Sequence, residues 1–208
     1  MKRKISLVLV LAVIITLTSC KPKESPQDVV QKAIEAVKLM DIESMQNYWG
    51  QEKLTDAFDT ASETETDSDA LSTLKLLVKN LDYQIVDAIE EDETATVSVQ
   101  ITNLDMAQIM SEFIATAFEN TLSNAYLSED QKPTNEEIEK QYTEMLISYL
   151  EREGNPTITN TVDIKLSLVD NKWVIEYNED AIDAMLGGLN SFSNSLNDAF
   201  KGNGENNT

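Results

Sequence analysis

Ser72-Thr73-Leu74-Lys75 has a Ser-x-x-Lys spacing, in which a lysine amine lowers the barrier to deprotonating a serine hydroxyl. The Ser-Asp-Asn and Lys-Thr-Gly elements that accompany it in serine enzymes are absent, so chance spacing on a helix is the plainer reading. Glu63, Glu65, Asp67 and Asp69 bring carboxylate oxygens of the kind calcium prefers. They lack an EF-hand glycine and a closing Glu, and read more simply as a solvated acidic loop over Thr60–Asp69. Glu90-Glu91-Asp92-Glu93 is a second acidic group, suited to a basic partner but kept in water by its own repulsion. The chain has no histidine. That removes the usual general base, the Ser-His-Asp and Cys-His arrangements, and most zinc sites. A working pair of carboxylates cannot be picked from 37 acids without geometry. The expectation is therefore no catalytic residue, no metal ligand and no cofactor. Tyr48, Trp49, Tyr83, Trp173 and Tyr177 are the stronger candidates, because ligand pockets favour aromatic lining. Their plain alternative is a place in the core.

The one cysteine, Cys20, belongs to a different chemistry. Met1-Lys2-Arg3-Lys4 is basic, Ile5–Leu17 is almost wholly apolar, and Leu17-Thr18-Ser19-Cys20 places small residues before the cysteine. Basic, apolar and small-residue regions in that order make a secretory signal. The stretch resembles a bacterial lipobox. The resemblance implies cleavage between Ser19 and Cys20 and a diacylglycerol on the Cys20 thiol. The alternatives are a membrane-spanning anchor and a secreted chain whose cysteine falls there by chance. The apolar run is 13 residues long, shorter than the roughly 17–25 a spanning helix needs. Two acyl chains exceed the one-chain limit for stable anchoring. With the thiol lipidated, no disulfide and no thiol chemistry remain.

Without Lys2, Arg3 and Lys4, 13 basic side chains face 37 acidic ones, a formal charge of −24. Such a body does not select nucleic acid or lie flat on an anionic membrane. Solubility is the ordinary reason for it. Apolar residues make up 41% of the chain, enough to bury a core in one domain. The divisions read as a signal over 1–19, a lipidated tether over 20–24, a single domain over 25–200 and a polar, disordered tail over 201–208.

The elements that must position these residues follow from periodicity. Ser25-Pro26-Gln27-Asp28 has the residues of a helix start, and Val29, Val30, Ala33, Ile34 and Val37 recur with helical period. Asp41 opens a second helix with Met45, Tyr48 and Trp49, and Leu54, Ala57 and Phe58 continue an apolar face. Asp69 is placed to cap a third helix through Leu71, Leu74, Leu77 and Val78. Tyr83–Ile89 leads through Glu90–Glu93 into Ala95, Val97, Val99 and Ile101, which alternate with polar residues as a hairpin strand does. Asp105 to about Tyr126 predicts a long helix with Ile109, Phe113, Ala117, Phe118 and Leu122 turned inward. Ile138–Leu150 predicts another, closed by Gly154 and Pro156. A second hairpin follows, with Val162, Ile164, Leu166 and Leu168 on one strand and Trp173, Ile175 and Tyr177 on the other. The last helix, from Asn178 or Glu179 to Phe200, contains Gly187-Gly188, which predicts a kink or a close backbone neighbour. Neither hairpin is stable alone, so both are expected in one four-stranded antiparallel sheet with helices on its inner face.

Ser25-Pro26-Gln27-Asp28-Val29-Val30, followed by Ala33 and Asp41, is similar to the opening of small bacterial lipoproteins with a nuclear-transport-factor-two-like, or cystatin-like, domain. Val97–Thr102 and Lys172–Ile175 fit the same pattern. The resemblance implies an α+β fold with a curved, cone-like antiparallel sheet whose mouth can hold a small ligand. The helices between Asp105 and Arg152 exceed what the smallest members carry. The implied role is a non-catalytic binding module outside the cytoplasmic membrane, held there by the lipid on Cys20, with a protein or small ligand as partner. Lys21 stands where an Asp would retain a lipoprotein at an inner membrane, and the resemblance favours a one-membrane cell. The alternative class is a small cone-fold hydrolase or isomerase using a pocket carboxylate beside a tyrosine.

Overall fold

The computed structural model describes residues 24–49 and 68–202, and side chains from Thr73 to Lys201 in the second segment. Ser19, Cys20, the tether before Glu24, the apolar residues Leu54–Phe58 and the acids Glu63, Glu65 and Asp67 lie outside them, as do the side chains of Asp69 and Ser72.

Helix α1 (Pro26–Leu39) begins as its sequence dictates. The Ser25 hydroxyl accepts from the Asp28 amide, and the Asp28 carboxylate accepts from the Ser25 amide, so each end satisfies an orphan donor of the other. The helix ends at Met40 in the left-handed region (φ 55°), and Asp41 accepts from the Ser44 amide to open α2 (Ile42–Trp49). Helix α3 (Ser68–Val78) leads to β1 (Asp82–Glu91) and β2 (Thr94–Leu104). Helices α4 (Met106–Ala125) and α5 (Asn135–Glu151) follow, then β3 (Thr157–Val169), β4 (Lys172–Ile175), α6 (Glu179–Met185) and α7 (Leu189–Gly202).

The two hairpins form one antiparallel sheet in the order β1-β2-β3-β4. The chain turns between β3 and β4 on Asp170 (φ 49°) and Asn171 (φ 61°), a pair of left-handed residues that suits the twist of a two-residue hairpin. In β2 and β3 the period-two pattern becomes two faces. Ala95, Val97, Val99, Ile101, Val162, Ile164 and Leu166 are buried under Val30, Ala33, Ile34 and Val37 of α1, Met45 and Trp49 of α2, and Ala181, Ala184 and Met185 of α6. The opposite face is polar. There the Thr102 and Thr159 hydroxyls lie 2.7 Å apart, and the Ser98 hydroxyl donates to Asp163.

Several expectations need correction. Phe118 and Leu122 do not turn inward: they are 63% and 47% exposed, and on α4 only Met106 and Ile109 are buried. After its first turns the helix meets α5 rather than the sheet, and Phe118 and Leu122 lie on the side that this pairing leaves exposed. The last helix is two helices, α6 and α7, broken at Gly187 (φ 64°) and Gly188 (φ 81°). The Gly187 carbonyl accepts from the Met106 amide at 3.0 Å, and a Cβ on Gly187 would lie 1.9 Å from Leu104 O. Both predicted consequences of the glycine pair are present. β4 stops at Ile175, which leaves Tyr177 outside the sheet and exposed. α7 runs to Gly202, and residues 203–208 of the expected tail lie outside the described residues. Ile85 and Asp87 flank a bulge at Val86, which leaves Val86 and Ile89 on the exposed side of β1.

A second, smaller apolar cluster of Leu77, Leu104, Met106, Ile109 and Leu150 sits where α3, α4 and α5 meet the end of β2. Asn103, wholly buried, ties that junction together. Its Nδ2 donates to Leu77 O (2.8 Å) and Met185 O (2.6 Å), and its Oδ1 accepts from the Leu104 amide (2.8 Å).

Candidate functional site

Three local decisions of the chain converge at the end of the sheet that carries the hairpin turns. The Ser25 cap sets the start of α1, with Glu24 before it and Val29 in its second turn. The last turn of α2 brings Asn47 and Tyr48. The tight β3–β4 turn delivers Asn171, Lys172 and Trp173. Together these seven residues line a cavity of about 280 Å³, small for a ligand site, where roughly 300–1,000 Å³ is usual.

Its distinctive group is the Trp173 indole. Trp173 is 6% exposed, and its Nε1 is buried with no hydrogen-bond acceptor among the described residues. A buried indole N–H ordinarily finds a partner, and leaving one unmade costs about 1–3 kcal/mol. The other tryptophan obeys that rule: Trp49 is packed in the core and its Nε1 donates to Ala33 O at 3.0 Å. At the cavity, Glu24 pairs with Lys32 at 2.7 Å, and its carboxylate holds the Lys32 ammonium above the usual lysine range. The lining thus offers aromatic surface from Tyr48 and Trp173, amides from Asn47 and Asn171, and the Lys172 ammonium. It suits a compact molecule with an apolar face and at least one hydrogen-bond acceptor.

Of the five aromatic candidates, the structure brings Tyr48 and Trp173 together. Trp49 belongs to the core. Tyr83 lies toward the far end of α1, where its hydroxyl donates to Glu35 Oε1 at 2.9 Å. Burial, and then the neighbouring Glu35 carboxylate, push the Tyr83 phenol up to about 12. Tyr177 lines a separate cleft with Asp180, Asp183 and Ser191. Sequence reasoning missed Glu24, Val29, Asn47, Asn171 and Lys172. Only the adjacency of Asn171 and Lys172 to Trp173 in a turn offered a signal for any of them.

Lys75 lies in the last turn of α3. Glu90–Glu93 form an exposed hairpin end. No group of three or more acids or cysteines among the described residues is placed to hold a metal ion, and no helix among them is long and apolar enough to cross a membrane.

No protein-family model and no curated protein matches the chain. Among solved structures, the chain is similar to the crystal structure of a "putative lipoprotein (ycdA)" from Bacillus subtilis subsp. subtilis. The identity is 14% and the TM-score 0.42, over 81% of this chain and 48% of that one, so this chain spans about half the length of that protein.

Proposed function

We propose that this protein is a lipid-anchored, non-catalytic binding protein displayed outside the cytoplasmic membrane, and that it seats a compact ligand in the cavity between Tyr48 and Trp173. Leu17-Thr18-Ser19-Cys20 supports the anchor. The opening Ser25-Pro26-Gln27-Asp28-Val29-Val30 supports a nuclear-transport-factor-two-like, cone-like domain. The observation that carries the binding reading is the cavity walled by Tyr48 and Trp173, whose indole Nε1 is buried without a partner among the described residues. A ligand acceptor that reached it through a shift of the ring would satisfy a donor that no described residue pairs.

A melting screen of envelope-derived small molecules tests this. Binders should raise the melting temperature of the wild-type chain, and Trp173→Phe should weaken them about tenfold. Equal shifts in wild type and Trp173→Phe would sink the assignment to this cavity. Anchoring is tested separately by metabolic labelling with an alkyne fatty acid, which Cys20→Ser should abolish.

The enzymatic alternative has one observation in its favour, the Glu35 carboxylate beside the Tyr83 hydroxyl. Neither residue lines the cavity that holds Trp173. Turnover of an envelope substrate that is lost in Glu35→Gln would establish it over the binding reading.

A further inference from the structure

Two hydrogen bonds fix which way each residue of β3 turns its backbone. The Leu168 amide donates to Glu93 O at 2.8 Å, so the even-numbered residues of β3 bond toward β2. Lys165 O accepts from the Glu176 amide at 2.9 Å, so the odd-numbered residues turn to the opposite side. β4 pairs with β3 on that side only from Leu166 to Val169. Glu176 and the Asn178 side chain, whose Nδ2 donates to Asp163 O at 2.7 Å, extend the cover a little further. Beyond them Thr161, Thr159 and Thr157 present N–H and C=O groups to an edge with no backbone partner among the described residues.

The other outer edge of the sheet is guarded. β1 carries a bulge at Val86 and the acids Asp82, Asp87, Glu90 and Glu91, features that discourage another chain from pairing. The β3 edge has no bulge in its register with β2, no proline, and threonine at each of its three open positions.

A cleft of about 460 Å³ opens at the Thr161 end of this edge, with Thr161 and Asp163 on the strand side and Asp180 and Asp183 on α6. Asp183 is occupied, since its carboxylate accepts from the Asn190 and Ser191 amides. Asp180 is exposed and has no ion pair or hydrogen bond among the described residues. A second copy of the chain would bring the same acids to the contact on a body already strongly negative, so like charge disfavours it.

We propose that the open edge from Thr157 to Thr161 accepts an extended, basic polypeptide segment as an added strand, with a lysine or arginine of that segment directed to Asp180. Main-chain pairing supplies the affinity and the acidic cleft the preference for positive charge. This surface is separate from the Trp173 cavity and does not rest on it.

The probe is a fluorescent, end-capped octapeptide of alternating valine and lysine, added to the full chain in mild detergent. Anisotropy should rise on binding, and hydrogen exchange should slow at the Thr157, Thr159 and Thr161 amides. The same peptide N-methylated at alternate amides, made in both phases, keeps its charge but loses its donors. One phase should bind at least tenfold more weakly. Thr159→Pro, which removes an edge N–H at a position where strands tolerate proline, should do the same. Asp180→Asn should weaken binding about threefold and flatten its salt dependence. The methylated peptides carry the test should Thr159→Pro fail to fold. Equal binding of both methylated phases, exchange protection elsewhere, or no binding at low ionic strength overturns the proposal. A concentration-dependent dimer protected at this same edge without peptide would assign the edge to a second copy instead.

Discussion

The inner face of the sheet and the outer half of the α4–α5 pair are both rich in apolar side chains, and they have opposite fates. Val97, Val99, Ile101, Ile164 and Leu166 are wholly buried, whereas Phe118 and Leu122 face solvent and Tyr126 is 89% exposed. The difference lies in what covers them. α1, α2 and α6 lie over the sheet, whereas the buried residues of α4, Met106 and Ile109, lie at its base among Leu77, Leu104 and Leu150. Beyond that base the two helices are held by directed contacts. Phe113 meets Tyr142 and Tyr149 edge-on at 6.4 Å, Thr116 and the Tyr149 hydroxyl lie 2.8 Å apart, and Arg152 pairs with Glu112 at 2.8 Å. Burial stabilises roughly in proportion to apolar area, while exposed pairs contribute little. The sheet is thus the cooperative body, and the helical pair is an appendage of lower local stability.

The largest effect that sharpens this contrast is at the hinge between the regions. Gly187→Ala would place a Cβ against the Leu104 carbonyl in a left-handed conformation. Overpacking and strain together should cost about 2–6 kcal/mol in urea unfolding. Ile164→Ala, deep in the sheet, should cost about 2–5 kcal/mol; a loss no greater than that of Phe118→Ala would break the comparison. Thr134→Ala removes the capping box with Glu137 at the start of α5 and should cost about 1 kcal/mol. Its effect should appear as faster hydrogen exchange confined to α5, with the strand amides unchanged.

Tyr83 reports on the sheet's side of the contrast through pH. Its phenol rises from 10.0 to about 12 in the folded chain, so the folded state holds this proton more tightly than the unfolded one. The associated stabilisation is whole below pH 10 and is lost as the pH rises toward 12. Tyr83→Phe should remove that fall, read as melting temperature against pH. Smallest of all, Phe118→Ser should change stability by no more than about 0.5 kcal/mol, because most of the residue is exposed.

The same contrast explains what was legible in the sequence. Alternation in Ala95–Ile101 and Val162–Leu166 identified buried faces correctly, because pairing fixes the orientation of every second residue and one face had helices to cover it. Ser25 announces its helix by chemistry that acts within four residues, whereas Thr134, which caps α5 through the same box, sits in a stretch, Glu129–Glu136, that reads as a loop in the sequence. In α4 the apolar period was equally clear, but Phe118 and Leu122 needed a neighbour that the tertiary arrangement does not supply. The cavity was half legible. Trp173 and Tyr48 stand out by type, whereas Glu24, Asn47 and Asn171 are common polar residues made into a lining by the meeting of three separate chain ends. The open edge of β3 depends on β4 being four residues long against thirteen, and the period that read Tyr177 as a continuation of that strand concealed it.

The ion pair between Glu24 and Lys32 fixes more than a side chain. It fastens Glu24, a residue of the cavity lining, to the second turn of α1. Four residues of extended chain span at most about 14 Å. Were Cys20 lipidated as proposed, the cavity would therefore be confined to a thin layer above the headgroups. A ligand that also resides in that layer meets the site at an effective concentration set by the height of the layer, as two linked modules do. Weak intrinsic affinity for membrane-borne molecules is then sufficient for occupancy, and the same affinity leaves freely diffusing copies of the ligand largely unbound.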